Sequence, residues 1–379
     1  MPALLLALWT FCAAPAARAL YTPRLIQIEI FRGQRELSVT LQGRFALRGD
    51  AADLSPILVP RKTYSVEVEG GELRFGSYHL GRTAHLTPMD PGLLAAINGH
   101  KYQGNLSFKL ESDETFTVVD ELGVEDYLLG VLPREMETDW PLEALKAQAV
   151  VARTFAYVNL GKYRKSGFDL TSDTRSQVYG GVGPGSEAVR QAVSQTSGEV
   201  LGYQGELLAS YYHSCCGGHT ADYATVWGRG ISAPRPLRGV RDRYCPRSPL
   251  ARWTAFIPVD DVLAALQSKH LIGGKLQYFR PGKRDSAGYV RSFTAKVGGE
   301  MLSVDAEEFR KSVGATELRS LRVGSVRLRR GGVEFSGSGS GHGVGLCQWG
   351  ARLQAERGRG YEQILEYYFP GSTLSVVDE

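Results

Sequence analysis

The sequence predicts an α+β fold, with helices and mostly antiparallel strands around a cleft and a β-rich region in front. Three observations carry this. Short alternating runs such as LIQIEIF (25–31), ELSVTL (36–41), TYSVEVEG (63–70), ELRFGSY (72–78) and LSFKLES (106–112), broken by Gly, Asp and Pro, show the period-two pattern of half-buried strands. Leu142, Leu145, Ala149, Ala152 and Ala156 recur at helical spacing and give a narrow, mostly Ala-lined stripe for close packing. From residue 121 onward helical and strand-like segments mix. The expected division is therefore a leader over 1–19, a β-rich region over 20–120 and a mixed region over 121–379.

The leader, MPALLLALWTFCAAPAARA, is apolar from Ala3 to Ala14 and ends in Ala17-Arg18-Ala19, the small-x-small pattern of a signal peptidase site. Its apolar run is far short of the roughly 20 residues that span a bilayer, so an exported protein of the cell envelope is expected rather than an anchored one. In the mixed region Pro141 suits a first helical turn, with Thr138 or Asp139 as cap and Gly161 as the stop. Further helices are expected near Ser186–Gln195, Val259–Lys269, 305–313, Gln348–Arg357 and Tyr361–Phe369, the last stopped by Pro370 and Gly371. Strands are expected around 199–213, 275–304 and up to residue 335.

At 43% hydrophobic and 22% charged, the 379-residue chain has ordinary globular composition, and its formal charge of +4 calls for no nucleic acid. A monomer is expected. The arginines 319, 322, 327, 329 and 330 form either a polymer-binding basic face or a solvated strand face. Cleavage of the leader removes Cys12 and leaves Cys215, Cys216, Cys245 and Cys347. Outside the cytoplasm thiols tend to pair. A Cys216–Cys245 disulfide, closing a loop of about 30 residues and contributing about 3 kcal/mol, is the economical expectation.

Glu135 is a lone acid in what reads as a constrained loop ahead of the Leu142 helix. It either presents a general acid to a cleft or favours the positive end of that helix's dipole. The glycines around His342 in FSGSGSGHGVGLCQWG lack the following Lys-Ser or Lys-Thr of a phosphate-binding loop, and lack the strand-turn-helix setting of a dinucleotide fingerprint. They point instead to backbone that passes close to something, with a polar side chain aimed at it.

Four segments, GVLPREMETDWPLEALKAQAVVARTFAY (130–157), SDTRSQVYGG (172–181), YYHSCCGGHTADYATVWG (211–228) and GSGSGHGVGLCQWGA (337–351), resemble the SpoIID/LytB group of bacterial cell-wall proteins, in that family's order. The resemblance spans roughly residues 122–374. It implies binding or cleavage of peptidoglycan glycan strands, with the essential acid of the stage II protein D motif falling on Glu135. For the LytB side of the family it implies partnership with a cell-wall amidase. A lytic transglycosylase needs one carboxyl group held protonated by an apolar surround, which Leu132, Met136 and Trp140 would supply. Ordinary glycoside hydrolysis would need a second carboxylate, for which Glu137, Asp139 and Asp173 are nearest. Arg153, Gln177, Tyr179, His213, His342 and Gln348 are expected to line the cleft, although Arg153 would equally suit a buried ion pair, and Trp349 is assigned to the core. No cofactor is required. A zinc site from His213, Cys216, His219 and Cys245 is the alternative to the disulfide, and a Cys–His nucleophile pair a third reading.

Overall fold

A computed structural model describes residues 25–51, 55–183, 185–228, 232–267 and 273–377. The leader expected at 1–19 lies outside the described residues. Mixed helices and antiparallel strands make an α+β protein, as the periodicities require.

The front region forms two sheets. One has seven strands, in the order Leu170–Thr171, Ile26–Gln34, Phe116–Leu122, Asn105–Leu110, Thr83–Pro88, Phe45–Gly49, Ile57–Leu58; the other has six, running from His100–Tyr102 through Glu36–Leu41 to Tyr78–His79. Alternation works as expected: Leu37, Val39 and Leu41 are buried while Glu36 and Ser38 face water. Phe75 of the smaller sheet meets Phe108 of the larger edge-on, centroids 5.9 Å apart. The outermost strand of the seven comes from the mixed region, because Leu170 and Thr171 pair in parallel with Ile28 and Glu29. One apolar core runs through both regions.

Eight helices occur among the described residues: α1 (Val124–Glu135), α2 (Leu142–Val158), α3 (Glu187–Gln195), α4 (Tyr223–Val226), α5 (Val259–Gln267), α6 (Ala306–Val313), α7 (Gln348–Ala355) and α8 (Tyr361–Tyr368). The first corrects the sequence reading. Glu135 is the last residue of a helix, not part of a loop, because Val124, Tyr127, Leu128, Val131 and Leu132 form an i, i+3, i+4, i+7, i+8 stripe that is fully buried. Pro133 sits in the last turn, and the helix stops two residues later. Helix α2 starts one residue after Pro141, which takes the cap position itself without any side-chain cap bond. Its buried surface reaches nearly all round, from Ala144 to Tyr157, rather than along one stripe. It packs against α1, α3, α7 and α8.

Glu206–Leu207, Glu199–Tyr203 and Thr373–Val376 make one three-stranded sheet, and there are two more of three strands each. Trp253–Pro258, Gly332–Gly337 and Val323–Arg329 form one, and Leu276–Pro281, Ser292–Val297 and Glu300–Asp305 the other. Phe279, Phe293, Phe309 and Phe335 cluster between them and α6, with centroids 5.1–6.5 Å apart. Of the basic run, Arg327 and Arg329 lie on an exposed strand, where they pair with Glu334 at 3.7 and 3.4 Å, and Arg322 binds the carbonyls of Ala287 and Gly217. Among the described residues no helix is long and apolar enough to cross a membrane.

Candidate functional site

A cleft of about 160 Å³ is lined by Glu135, Phe155, Thr174, Ser176, Tyr211, Tyr212 and His342. Five separate elements converge there, α2 among them with Phe155. Helix α1 ends at the cleft with Glu135, the turn after Leu170–Thr171 brings Thr174 and Ser176, and the short strand Tyr212–His213 runs parallel to Leu346–Cys347, beside the glycine-rich loop that carries His342. Among the described residues lining the cleft, Glu135 is the one carboxylate.

Its environment works in two directions. Burial raises the Glu135 pKa above the usual carboxylate range. The Val178 N–H donates to Oε1 at 2.9 Å and the Tyr212 hydroxyl bonds the carboxyl group, and both favour the ionised form. The direction of the Tyr212 bond follows from its neighbours. Tyr127 donates to Gln177 Oε1 at 3.3 Å, and Gln177 Nε2 donates to the Tyr212 oxygen at 3.1 Å. The Tyr212 hydroxyl proton is thereby left for Glu135.

His342 is held neutral. Burial lowers its pKa, and the Val344 N–H donates to Nδ1 at 3.1 Å, which places the ring proton on Nε2, facing the Tyr212 carbonyl. Its ring packs on Trp227 at 4.8 Å, and Tyr211 lies 4.8 Å from Trp227 and 5.7 Å from Tyr223. Aromatic faces next to a carboxyl group are a surface suited to sugar rings. His213 is buried behind this wall, its Nδ1 bonding Val344 O at 3.1 Å and its pKa pushed down to about 4 by desolvation.

The remaining expected residues fall in other places. Gln348 acts on the main chain of the acid, donating from Nε2 to the Glu135 carbonyl at 3.1 Å. Gln177 is buried and reaches Glu135 only through Tyr212. Arg153 does not line the cleft: it is 0% exposed and forms a two-pronged pair with Glu125, both bonds 2.7 Å, plus a 3.0 Å bond to Glu199 O. A guanidinium that deep needs its charge matched inside the helix bundle. Tyr179 is likewise core, donating to Asp120 Oδ2 at 2.8 Å and packing on Tyr127. Leu132, Met136 and Trp140 are buried in the core and do not line the cleft; Phe155, Tyr211 and Tyr212 supply the apolar surround. Trp349 is partly buried against Trp140, with Arg352 over both rings. Glu137 and Asp139 are exposed beyond the end of α1, and Asp173 is taken up by Arg175 and Thr171.

The expected Cys216–Cys245 disulfide is not formed. All four cysteines are buried and free; Cys216 Sγ contacts Asp242 at 3.3 Å, and Cys245 Sγ lies 2.9 Å from Cys215 Sγ. Nor do the histidines join a metal set, since His213 is bound to Val344 and His219 Nδ1 faces its neighbour's carbonyl, Thr220 O, at 2.8 Å. Sequence reasoning missed Phe155, Thr174, Ser176, Tyr211, Tyr212 and Trp227. All lie within the four segments singled out above, so the signal was present at the level of segments but not of individual side chains.

A family model described as "Stage II sporulation protein" matches residues 112–203. The chain is 35% identical over 283 residues to an uncharacterized protein of Brachyspira hyodysenteriae, covering 74% of each. It is 29% identical over 365 residues to the amidase enhancer of Bacillus subtilis, covering 83% of this chain and half of that longer one. To the stage II sporulation protein D of Bacillus amyloliquefaciens it is 27% identical over 280 residues, 69% of this chain and 76% of the other.

Proposed function

The chain belongs to the SpoIID/LytB family of cell-wall proteins, and from that premise we propose that it is an exported lytic transglycosylase cleaving MurNAc–GlcNAc bonds of peptidoglycan with Glu135 as acid and base. The observation that carries this reading is the single half-buried carboxyl group at the cleft, with no second carboxylate among the described lining residues. Paired-carboxylate hydrolysis needs two. A transglycosylase needs one, because the substrate supplies its own nucleophile.

In the first half of the reaction the neutral carboxyl group of Glu135 delivers its proton to the glycosidic oxygen as the C1–O bond breaks and positive charge develops on the MurNAc ring. The 6-hydroxyl of the same sugar then bonds to C1. Glu135, now ionised, takes the hydroxyl proton, so that the product carries a 1,6-anhydro ring and no water is consumed. Burial favours the neutral acid that starts the cycle, while the Val178 N–H and Tyr212 hydroxyl stabilise the carboxylate that ends the first step. The wall of Tyr211, Trp227 and His342 is a stacking surface for the sugars.

A second reading is carried by the match to the amidase enhancer over most of this chain: wall binding that stimulates a cell-wall amidase without chemistry at Glu135. Purified protein incubated with isolated sacculi, with and without their stem peptides, separates the two. Anhydro-ended fragments from wild type and none from Glu135→Gln are the expected result. If neither releases such ends while both still bind sacculi, the transglycosylase reading fails and the second stands.

A further inference from the structure

We infer that Cys216, Cys245, Cys347 and Asp242 form a closed structural site for a zinc-class divalent ion, which clamps together the segments that build the cleft. One ligand atom from each of the four residues lies within 4.8 Å of all the others, and all four residues are buried. A tetrahedral ion with metal–sulfur bonds of about 2.3 Å requires sulfurs about 3.8 Å apart, so the group is of the right size to contract onto one.

Backbone N–H groups converge on the three sulfurs. The Cys216 N–H points at Cys347 Sγ at 3.2 Å, the Gly217 N–H at Cys245 Sγ at 3.3 Å, the Gly218 N–H at Cys216 Sγ at 3.4 Å and the Gly350 N–H at Cys347 Sγ at 3.4 Å. Backbone donors onto ligating sulfurs, and oriented carboxylates, are the outer shell that such ions need. Asp242 has this too. Its Oδ1 accepts from the Tyr244 and Cys245 N–H groups at 2.8 and 3.0 Å, and Tyr368 donates to Oδ2 at 2.7 Å. The turn that aims two of the donors needs glycine: Gly217 and Gly218 have φ of +67° and +114°, and a Cβ on Gly217 would meet the Gly339 nitrogen at 2.7 Å.

Three soft thiolates and one carboxylate, closed to solvent, favour zinc over calcium or magnesium, which take oxygen ligands. A closed four-ligand shell also leaves no position for substrate, so the ion would be structural. Its leverage on the cleft follows from chain position. Cys347 precedes Gln348, the residue on the Glu135 carbonyl, and closes the strand that pairs with Tyr212–His213. Cys216 follows that second strand by three residues. The competing chemistry is a Cys215–Cys245 disulfide, which would need those sulfurs to close to about 2.05 Å.

The test is the metal content of the purified full chain, prepared without chelator and measured by plasma mass spectrometry alongside peptide mapping of thiols. Expected are about one zinc per chain, loss of most of it in Cys347→Ser, Cys245→Ser and Asp242→Asn, retention in Cys215→Ser, and a fall in Tm with a strong chelator that added zinc reverses. Cobalt loading of wild type serves if the variants fail to fold, and should give thiolate-to-cobalt charge-transfer bands. A metal-free folded chain holding a Cys215–Cys245 disulfide overturns the inference. So do zinc retained in folded Cys347→Ser, zinc lost from Cys215→Ser but kept by Asp242→Asn, or cobalt-loaded protein without thiolate bands.

Discussion

Replacing Arg153 by Met should destabilise the fold by about 3 kcal/mol and leave the cleft's chemistry alone. The side chain is 0% exposed and donates to both Glu125 oxygens, to Glu199 O and to Val193 O. Breaking one partner out of a buried pair costs about 3–5 kcal/mol. The lower figure applies because the Glu125 side chain keeps 30% of its surface in water and retains the Gly198 N–H at 3.2 Å, so it is not stranded. Methionine fills most of the vacated volume and limits the cavity contribution. With a urea slope of about 3 kcal/mol/M the unfolding midpoint should fall by about 1 M at unchanged slope. Glu125→Gln should cost more, since it leaves a fully buried guanidinium with half its partners, and the double variant should cost less than the sum of the two. A midpoint shift below about 0.2 M together with weakened binding to sacculi would return Arg153 to the cleft and refute this reasoning.

Tyr212→Phe removes a donor that favours the ionised form of Glu135, so the carboxyl pKa rises further. The alkaline limb of the kcat profile for release of anhydro ends should move to higher pH and kcat should fall about 10- to 100-fold, matching the 1.5–3 kcal/mol of a hydrogen bond to a charged group; an unmoved limb counts against the hydrogen-bond direction argued above. Asp120 is buried, and desolvation pushes its pKa up to about 7, against about 3.9 in the unfolded chain. The folded state therefore binds the extra proton, stability is fully present below about pH 4 and declines as pH rises to about 7, by up to roughly 4 kcal/mol, and Asp120→Asn should flatten that slope in urea titrations. Gln348→Ala frees the Glu135 carbonyl. It should lower kcat several-fold while KM for denuded glycan holds, and a pure KM effect would show that Gln348 touches substrate instead.

The parts of the fold legible in the sequence were those where one periodicity dominates. The alternating runs of the front region and the helix from Leu142 declare themselves because each buries a face set by a single repeat. Helix α1 was hidden by Pro133, although the stripe from Val124 to Leu132 was there to be counted. The site was legible as segments, since Glu135 and His342 do meet at the cleft. It was not legible as side chains, because whether a polar residue faces the cleft or the core depends on which neighbour it finds. Arg153 found Glu125, Tyr179 found Asp120, and the neighbouring Tyr211 and Tyr212 found the cleft. The sulfurs brought together at Asp242 come from positions 216, 245 and 347, a separation no local motif encodes.

The position of Glu135 itself separates a structural role from a chemical one. Ahead of α2 an acid would favour the positive end of that helix; at the last residue of α1 it meets the negative end, where exposed carbonyls disfavour an added negative charge by a few tenths to about 1 kcal/mol. Burial opposes the charge as well, and the raised pKa is the net result despite two donors. A group whose folded pKa lies above its unfolded value withdraws stability as pH rises from the unfolded pKa through the folded one. Glutamine keeps the shape and can still accept from the Val178 N–H, but carries no charge. Glu135→Gln should therefore match wild type in stability at low pH and exceed it near neutrality, while releasing no anhydro ends. Thermal melts of both proteins across that range decide it: a variant less stable than wild type at neutral pH would mean that the carboxylate holds the fold together, and the case for Glu135 as an acid kept for chemistry would lose its physical basis.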